Sequence, residues 1–591
     1  MMISQHTISL VRTLTLSVMM AVSVASNAAN NNVHVKQVTL NILETSDVHG
    51  CFFPWDFINK RTMNGSMARL ATYVSSLRQQ NPDGVILLEN GDILQGQPIN
   101  YYYNFIATDR QNIASQITNY MRYDATTWGN HDVEPGHDVF DKWDSEMKFP
   151  ILGANIIDEK TGQSYLKPYT IIERQGVRVA VIGMLTPAIP NWLTPDVWSG
   201  LRFEEMVTTA HKWIDIVQKT EKPDIIIGLL HSGLDGGIVT PEYEENASLH
   251  VAKEVPGFDI IMYGHDHMKN CTSVTSADGS VVRLINPSNN CRAVAEAVVT
   301  VCKKGKKLIS KDIQARLVDL CEFTPDSAFM QHFESEVNDV KQWAERTIGL
   351  CDTTITTRDC FFGSSAFTDL IHNLQMKLTG ADISFSAPLT FNATLAKGGI
   401  TVGDMFNLYK YENQLCTMML TGKEILGHLE MSYDLWVNTM QSPDDNILQL
   451  NIRTSGDSHR TGFKNPTFNF DSAAGIDYIV DVTKPDGQKV KILRMSNGEP
   501  FSLDKTYKVA VNSYRANGGG ELLTKGAGIP HDKLAERIVS RTSRDQRWYL
   551  MQEIERLGTI SPRANNNWKF VPEEWAGPAL QRDRKLLFGD K

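Results

Sequence analysis

Between about residue 33 and residue 320 the chain repeats short, β-branched apolar runs. They are Val38-Thr39-Leu40-Asn41-Ile42-Leu43, Val85-Ile86-Leu87-Leu88, Val179-Ala180-Val181-Ile182, Ile225-Ile226-Ile227-Gly228-Leu229-Leu230 and Ile260-Ile261-Met262. Their length and branching are those of strands buried on both faces. Longer polar or amphipathic stretches separate them, which predicts a layered α/β domain. Polar residues follow such runs at their C-terminal ends. Asp47 and His49 follow the first, Asp92 the second, and His231 follows Leu230. His265 and His267 follow Tyr263, while Asn130 and His131 follow Ala125-Thr126-Thr127-Trp128. Ligands of open α/β sheets gather outside the carboxyl ends of the strands. Five loops are therefore expected to converge on one edge.

The loops carry carboxylates, an amide and imidazoles, with no thiolate. Such hard oxygen and imidazole donors suit Zn, Mn, Fe or other divalent cations. Gly50, Gly91, Gly129, Gly233 and Gly264 flank them, where a missing Cβ permits a tight turn or a close approach. A single Gly-Asp or one strand-terminal His is commonly a turn or a structural histidine. DVHG, GD, GNHD, HSG and GHDH in one order, each after a strand, point to a metal site. Asp132, Asp266 and His137 are expected to support it or to lie on the surface.

The 591 residues carry a net charge of −10 and are 42% hydrophobic, enough for full cores. The acidic balance argues against a nucleic-acid polymer as partner. The compact basic run Lys303-Lys304-Gly305-Lys306-Lys307 lies between apolar runs and reads as a solvated turn. Arg12, the apolar stretch Leu14–Ala25 and the small residues up to Ala29 read as a secretory signal peptide over residues 1–28. No lipobox cysteine follows and no other membrane insertion is expected. The product is expected to be secreted, periplasmic in a Gram-negative source, and a monomer or weak oligomer. The eight cysteines show no metal-ribbon spacing and are taken mostly as buried thiols.

Beyond residues 33–322, Thr324 and Pro325 look like a helix start, and Phe329, Phe333, Val337, Val340 and Trp343 recur at helical spacing. A linker helix is expected over 323–346. A second α/β domain follows over 347–562, and residues 563–591 read as a surface tail.

The five motifs together resemble the calcineurin-like metallophosphoesterases, specifically the 5′-nucleotidase family, across nearly the whole mature chain. The resemblance implies an N-terminal α/β-β/α sandwich and a C-terminal substrate-binding domain. It implies that Asp47, His49, Asp92 and His267 hold one divalent ion. Asp92, Asn130, His231 and His265 hold a second, with Asp92 bridging. It further implies hydroxide attack on phosphorus, with His131 as catalytic histidine. The family's partner to that histidine is an Asp three residues on; here it is Glu134.

In the second domain, Tyr409-Lys410-Tyr411-Glu412-Asn413-Gln414-Leu415 resembles the family segment that supplies a stacking ring and an Asn for the base. Tyr411 and Asn413 take those roles by resemblance, and Tyr514 stacks from the other side. Ser386-Ala387-Pro388 and Tyr514-Arg515-Ala516-Asn517-Gly518-Gly519 look more like the bifunctional 2′,3′-cyclic-nucleotide 2′-phosphodiesterase/3′-nucleotidase branch. The alternatives are a 5′-nucleotidase or UDP-sugar diphosphatase, and a non-catalytic nucleotide-binding protein. Holding the base and the metals on separate domains requires those domains to approach through the region near residues 320–350.

Overall fold

The structure is a computed structural model that describes residues 35–455 and 458–589. The expected signal peptide, residues 1–28, lies outside the described residues. The apolar runs form strands as expected. One six-stranded sheet places Val35–Thr45, Val85–Glu89, Ala125–Thr127 and Ile151–Leu152 side by side and parallel. A long antiparallel hairpin, Ala293–Lys304 and Lys307–Asp319, extends it at the Val35–Thr45 side. The second six-stranded sheet has Val177–Leu185, Ile225–His231, Ile260–Tyr263 and Val281–Pro287 parallel, with antiparallel strands at both edges.

One apolar cluster joins Leu40, Ile42, Ile86 and Leu88 of the first sheet to Val179, Val181, Ile227 and Ile260 of the second. The outer faces are covered by helices. Met67–Gln80 and Ile113–Met121 lie on the first sheet, and Met206–Thr220 and Ser248–Glu254 on the second. Both faces of each parallel core are therefore buried, which explains why these strands read as unbroken apolar runs rather than alternating ones. This is the layered sandwich expected.

Gly305 (φ +62°) turns the long hairpin, where the basic run was expected to be solvated. Lys303 departs from that expectation. Its ammonium is buried and donates to Asp224 Oδ2 at 2.6 Å.

The linker also differs from expectation. Asp326, not Thr324, caps the first helix, its Oδ1 accepting from Phe329 N at 2.8 Å; aspartate is the stronger cap. Helix Ser327–His332 ends at Phe333 (φ −105°, ψ 17°), and a second helix runs Glu334–Glu345. The break lets Phe329 and Phe333 both pack on Phe53 and Tyr120 against the first domain.

The second domain is built on a five-stranded sheet: Ser472–Ala474, Ile383–Ser386, Thr506–Asn512, Gln414–Thr421 and Ile538–Asp545, in that order. Helix Gly422–Trp436 starts on a capping box between Thr421 and Glu424. Residues 563–589, expected as a surface tail, are instead built into this domain. Trp568–Val571 pairs in parallel with Ile476–Asp481, and Ala576 and Ala579 of helix Glu573–Phe588 join the core around Trp436. The apolar surface of Trp568 and Phe570 drives that burial.

The two domains interlock. Tyr101 of the first is buried beside Phe406 and Trp343, and its hydroxyl donates to Asp545 Oδ2 at 2.8 Å. The cysteines are all free thiols, five of them buried. No helix of the described residues is long and apolar enough to cross a membrane.

Candidate active site

The five loops meet at one edge, as their order after the strands implied. Asp47, His49, Asp92 and His267 bring ligand atoms within 4.8 Å of one another, and so do Asp92, His231 and His265. Asp92 belongs to both groups. Asn130 joins the second: its Oδ1 lies 2.9 Å from His265 Nδ1 and 3.3 Å from His231 Nε2.

The backbone is bent to achieve this. Asp47, His49, Asp92, His265 and His267 all adopt left-handed φ, between +48° and +75°. That conformation costs an L-residue about 1–2 kcal/mol, and such strain gathers at functional sites. The glycines contribute mainly by absence of bulk. A Cβ on Gly129 would fall 2.1 Å from Asp92 Oδ1, and one on Gly264 1.9 Å from Ser46 Oγ. Gly91 (φ +82°) both turns the chain and abuts Gly129.

The donor set fits divalent cations. His231 Nδ1 faces Asn90 O at 2.6 Å and His49 Nδ1 faces Gln95 O at 3.2 Å. Each contact sets the proton on Nδ1 and turns Nε2 inward as a ligand. Burial opposes charge on His231, yet Asp92, with an oxygen 3.3 Å away, and Asp47 override it and lift that imidazole to about 10. The same carboxylates attract any cation placed between them. Burial, together with neighbouring imidazoles, brings His49 down to about 3. Asp92 itself is held well below the usual carboxylate range: burial works against this, and His231 and His131 prevail.

His131 sits over this group. Its N–H donates to Asp92 Oδ1 at 2.8 Å, and its Nδ1 meets Glu134 Oε2 at 2.6 Å. Burial disfavours the imidazolium, but Asp92 and Glu134 outweigh burial and raise His131 to about 9.

Asp132 is fully buried and organises the centre. Its carboxylate accepts from the N–H groups of Asp92, Ile93, Leu94 and Gly129, at 2.7–2.9 Å. Asp266 ties Leu234 N, Met268 N and Asn286 Nδ2 together behind the last loop. His137 lies apart, bonded to Asp141 and Ser199 O. Glu245 was not singled out from sequence. Its Oε1 lies 3.0 Å from His265 Nε2 and its Oε2 accepts from Ile238 N, so it orients a candidate ligand. It comes from an irregular loop with no periodic pattern to flag it.

A cavity of about 770 Å³ runs from this centre to the second domain, within the range of small-molecule sites. Asp92, Asn130, His131, His265 and His267 line one side, and Tyr411, Asn413 and Tyr514 line the other. The structure thus brings together the candidate metal ligands, His131, Glu134 and the three candidate substrate residues.

Residues 40–269 match the calcineurin-like phosphoesterase family, and residues 344–525 match the 5′-nucleotidase C-terminal domain. The chain is thereby a calcineurin-like metallophosphoesterase, a class of phosphoric ester hydrolases that use divalent metals. Within that class it belongs to the two-domain 5′-nucleotidase type. It is 27% identical over 94% of its length to the trifunctional nucleotide phosphoesterase protein YfkN of Bacillus subtilis, and spans 40% of that protein's length. It is 25% identical to the 2′,3′-cyclic-nucleotide 2′-phosphodiesterase/3′-nucleotidase of Yersinia enterocolitica, over 90% of this chain and 88% of that one. The crystal structure of a putative 5′-nucleotidase from Staphylococcus aureus shares the fold, with a TM-score of 0.73 at 21% identity, covering 90% of this chain and 100% of the other.

Proposed function

We propose that this chain hydrolyses 2′,3′-cyclic nucleotides to 3′-nucleotides, and these to nucleosides and phosphate. One observation carries the reading: the imidazole- and carboxylate-rich centre and a pair of tyrosines from another domain face one cavity. In this reading Asp47, His49, Asp92 and His267 hold one divalent cation. Asp92, Asn130, His231 and His265 hold the other. When bound, the cations neutralise phosphoryl charge and lower the pKa of a water. Glu134 fixes His131 through Nδ1, which leaves Nε2 to carry a proton to the departing sugar oxygen. The Glu134 carboxylate favours the protonated imidazole that this role needs. Tyr411 and Tyr514 stack on the base, a contact that tolerates any base, and Asn413 bonds its edge.

The choice of the cyclic and 3′ esters is supported by Ser386-Ala387-Pro388, by the Tyr514–Gly519 segment, and by the named activity of the Yersinia relative. The second reading, a 5′-nucleotidase or UDP-sugar diphosphatase, uses the same centre with a different pose. The signal-like residues 1–28 support export to the periplasm. Purified protein in Mn²⁺ or Zn²⁺, given 2′,3′-cAMP, 3′-AMP, 5′-AMP and UDP-glucose separately, is expected to turn over the first two fastest. A preference for 5′-AMP or UDP-glucose overturns the assignment.

A further inference from the structure

The candidate base contacts Tyr411 and Asn413 sit on a short connection between helix Asp404–Leu408 and strand Gln414–Thr421. Such a connection has no helix or ladder of its own, so its carbonyl groups need donors from elsewhere. One side chain supplies most of them. Arg547, the second residue of helix Gln546–Leu557, is fully buried. Its Nε donates to Tyr409 O at 2.9 Å, its Nη2 to Lys410 O, and its Nη1 to Glu412 Oε1 at 2.8 Å. The N–H of neighbouring Gln546 donates to Asn413 O at 2.9 Å. Tyr411 is thus flanked by anchored residues on both sides, and Asn413 is anchored through its own carbonyl. The guanidinium carbon lies 3.9 Å from the centre of the Phe406 ring and 5.1 Å from that of Tyr101, a residue of the first domain.

A planar guanidinium holds its donors in a fixed fork, so the three acceptors bound to it are fixed relative to one another. A lysine ammonium in the same place is a point donor and cannot span them. A platform held this way before the base arrives is spared the cost of ordering on binding. We propose that Arg547 is a positioning residue that sets the preference for nucleotides over simple phosphate esters, by presenting Tyr411 and Asn413 to the base. The inference rests on the base-binding roles proposed above for those two residues. Arg547 does not itself line the large cavity, so it acts through the loop it grips. Its packing on Tyr101 ties that loop to the domain that carries the Asp/His centre, so the base and the phosphoryl group are placed from one common support.

The test uses the full mature chain saturated with Mn²⁺, as wild type, Arg547→Lys, Tyr411→Ala and the double variant. kcat and KM are measured for 3′-AMP, for 5′-AMP and for p-nitrophenyl phosphate, which has no base. Arg547→Lys is expected to lower kcat/KM for the better nucleotide about 10-fold, mostly through KM, on the scale of losing a base stack. Turnover of p-nitrophenyl phosphate and manganese content should stay close to wild type. In the Tyr411→Ala background the same change is expected to cost the nucleotide less than it does in wild type, because both act on one contact. An equal fall on all three esters, or full additivity with Tyr411→Ala, overturns the proposal. If Arg547→Lys does not fold, Glu412→Ala removes one of the three anchors and is expected to raise KM for the nucleotide alone. Unchanged nucleotide kinetics in that variant overturn the proposal as well. A selective loss in Tyr411→Ala without one in Arg547→Lys removes this inference and leaves the base platform standing. No selective loss in Tyr411→Ala removes both.

Discussion

Tyr411 of the second domain lies parallel to His131 of the first, with ring planes 5° apart and centroids separated by 6.4 Å. The proposed base platform is thus held directly against the proposed proton carrier, although 280 residues of sequence separate them. Tyr411→Ala is expected to lower kcat/KM for nucleotides by about 1–3 kcal/mol of lost stacking. Turnover of p-nitrophenyl phosphate, which has no base, should fall much less. Parallel kinetics on the two esters check this, and an equal loss on both contradicts the assignment.

Glu134 acts through His131. Glu134→Ala removes the 2.6 Å partner of Nδ1 while leaving every residue of the Asp/His centre in place. The expected result is a fall in kcat of about 10–100-fold, inside the 10²–10⁴-fold ceiling of a general acid, with KM and metal content little changed. Glu134→Asp, which restores a carboxylate, is expected to recover part of the loss. Steady-state kinetics with metal analysis separate this from simple unfolding.

Asp471 anchors the core below Tyr514. It takes two bonds from the buried Arg515 guanidinium, at 2.9 and 3.0 Å, and one from His428 at 2.8 Å. Burial alone pushes its carboxyl up, yet Arg515 and His428 prevail and hold it near 2. A depressed carboxyl stabilises the fold fully above its unfolded value of about 3.9. That stabilisation is lost as pH falls from there through about 2. Asp471→Asn strands the Arg515 charge and is expected to cost about 3–5 kcal/mol. Denaturant midpoints measured against pH should also show a shallower acid limb in the variant.

The sheet of the first domain was legible because its parallel strands are buried on both faces and so read as short β-branched runs. That the candidate ligands share an edge followed from chain order, because residues set just past such runs gather there; the role of each rested on the family resemblance. What escaped was whatever depends on shape without pattern. Glu245 reaches His265 from an irregular loop, and nothing in its neighbourhood repeats. The left-handed backbone of Asp47, His49, Asp92, His265 and His267 is carried by residues other than glycine, so composition does not announce it. The linker kept its helical spacing, but the tertiary packing of Phe329 and Phe333 broke it in two. Trp568 and Phe570 alternate over a strand of four residues, too short to stand out from a polar tail.

Asp92 is proposed to be shared by two cations that carry out the hydrolysis. The most direct measurement pairs phosphate release from 3′-AMP with metal stoichiometry in wild type and Asp92→Asn, both saturated with Mn²⁺. Wild type is expected to bind two manganese ions per chain at the Asp/His centre. Asp92→Asn is expected to retain fewer and to lose at least about 10²–10³-fold in kcat, the scale set by removing one preorganised electrostatic group. A folded Asp92→Asn protein with wild-type phosphate release and unchanged metal content would rule out a shared, catalytic Asp92.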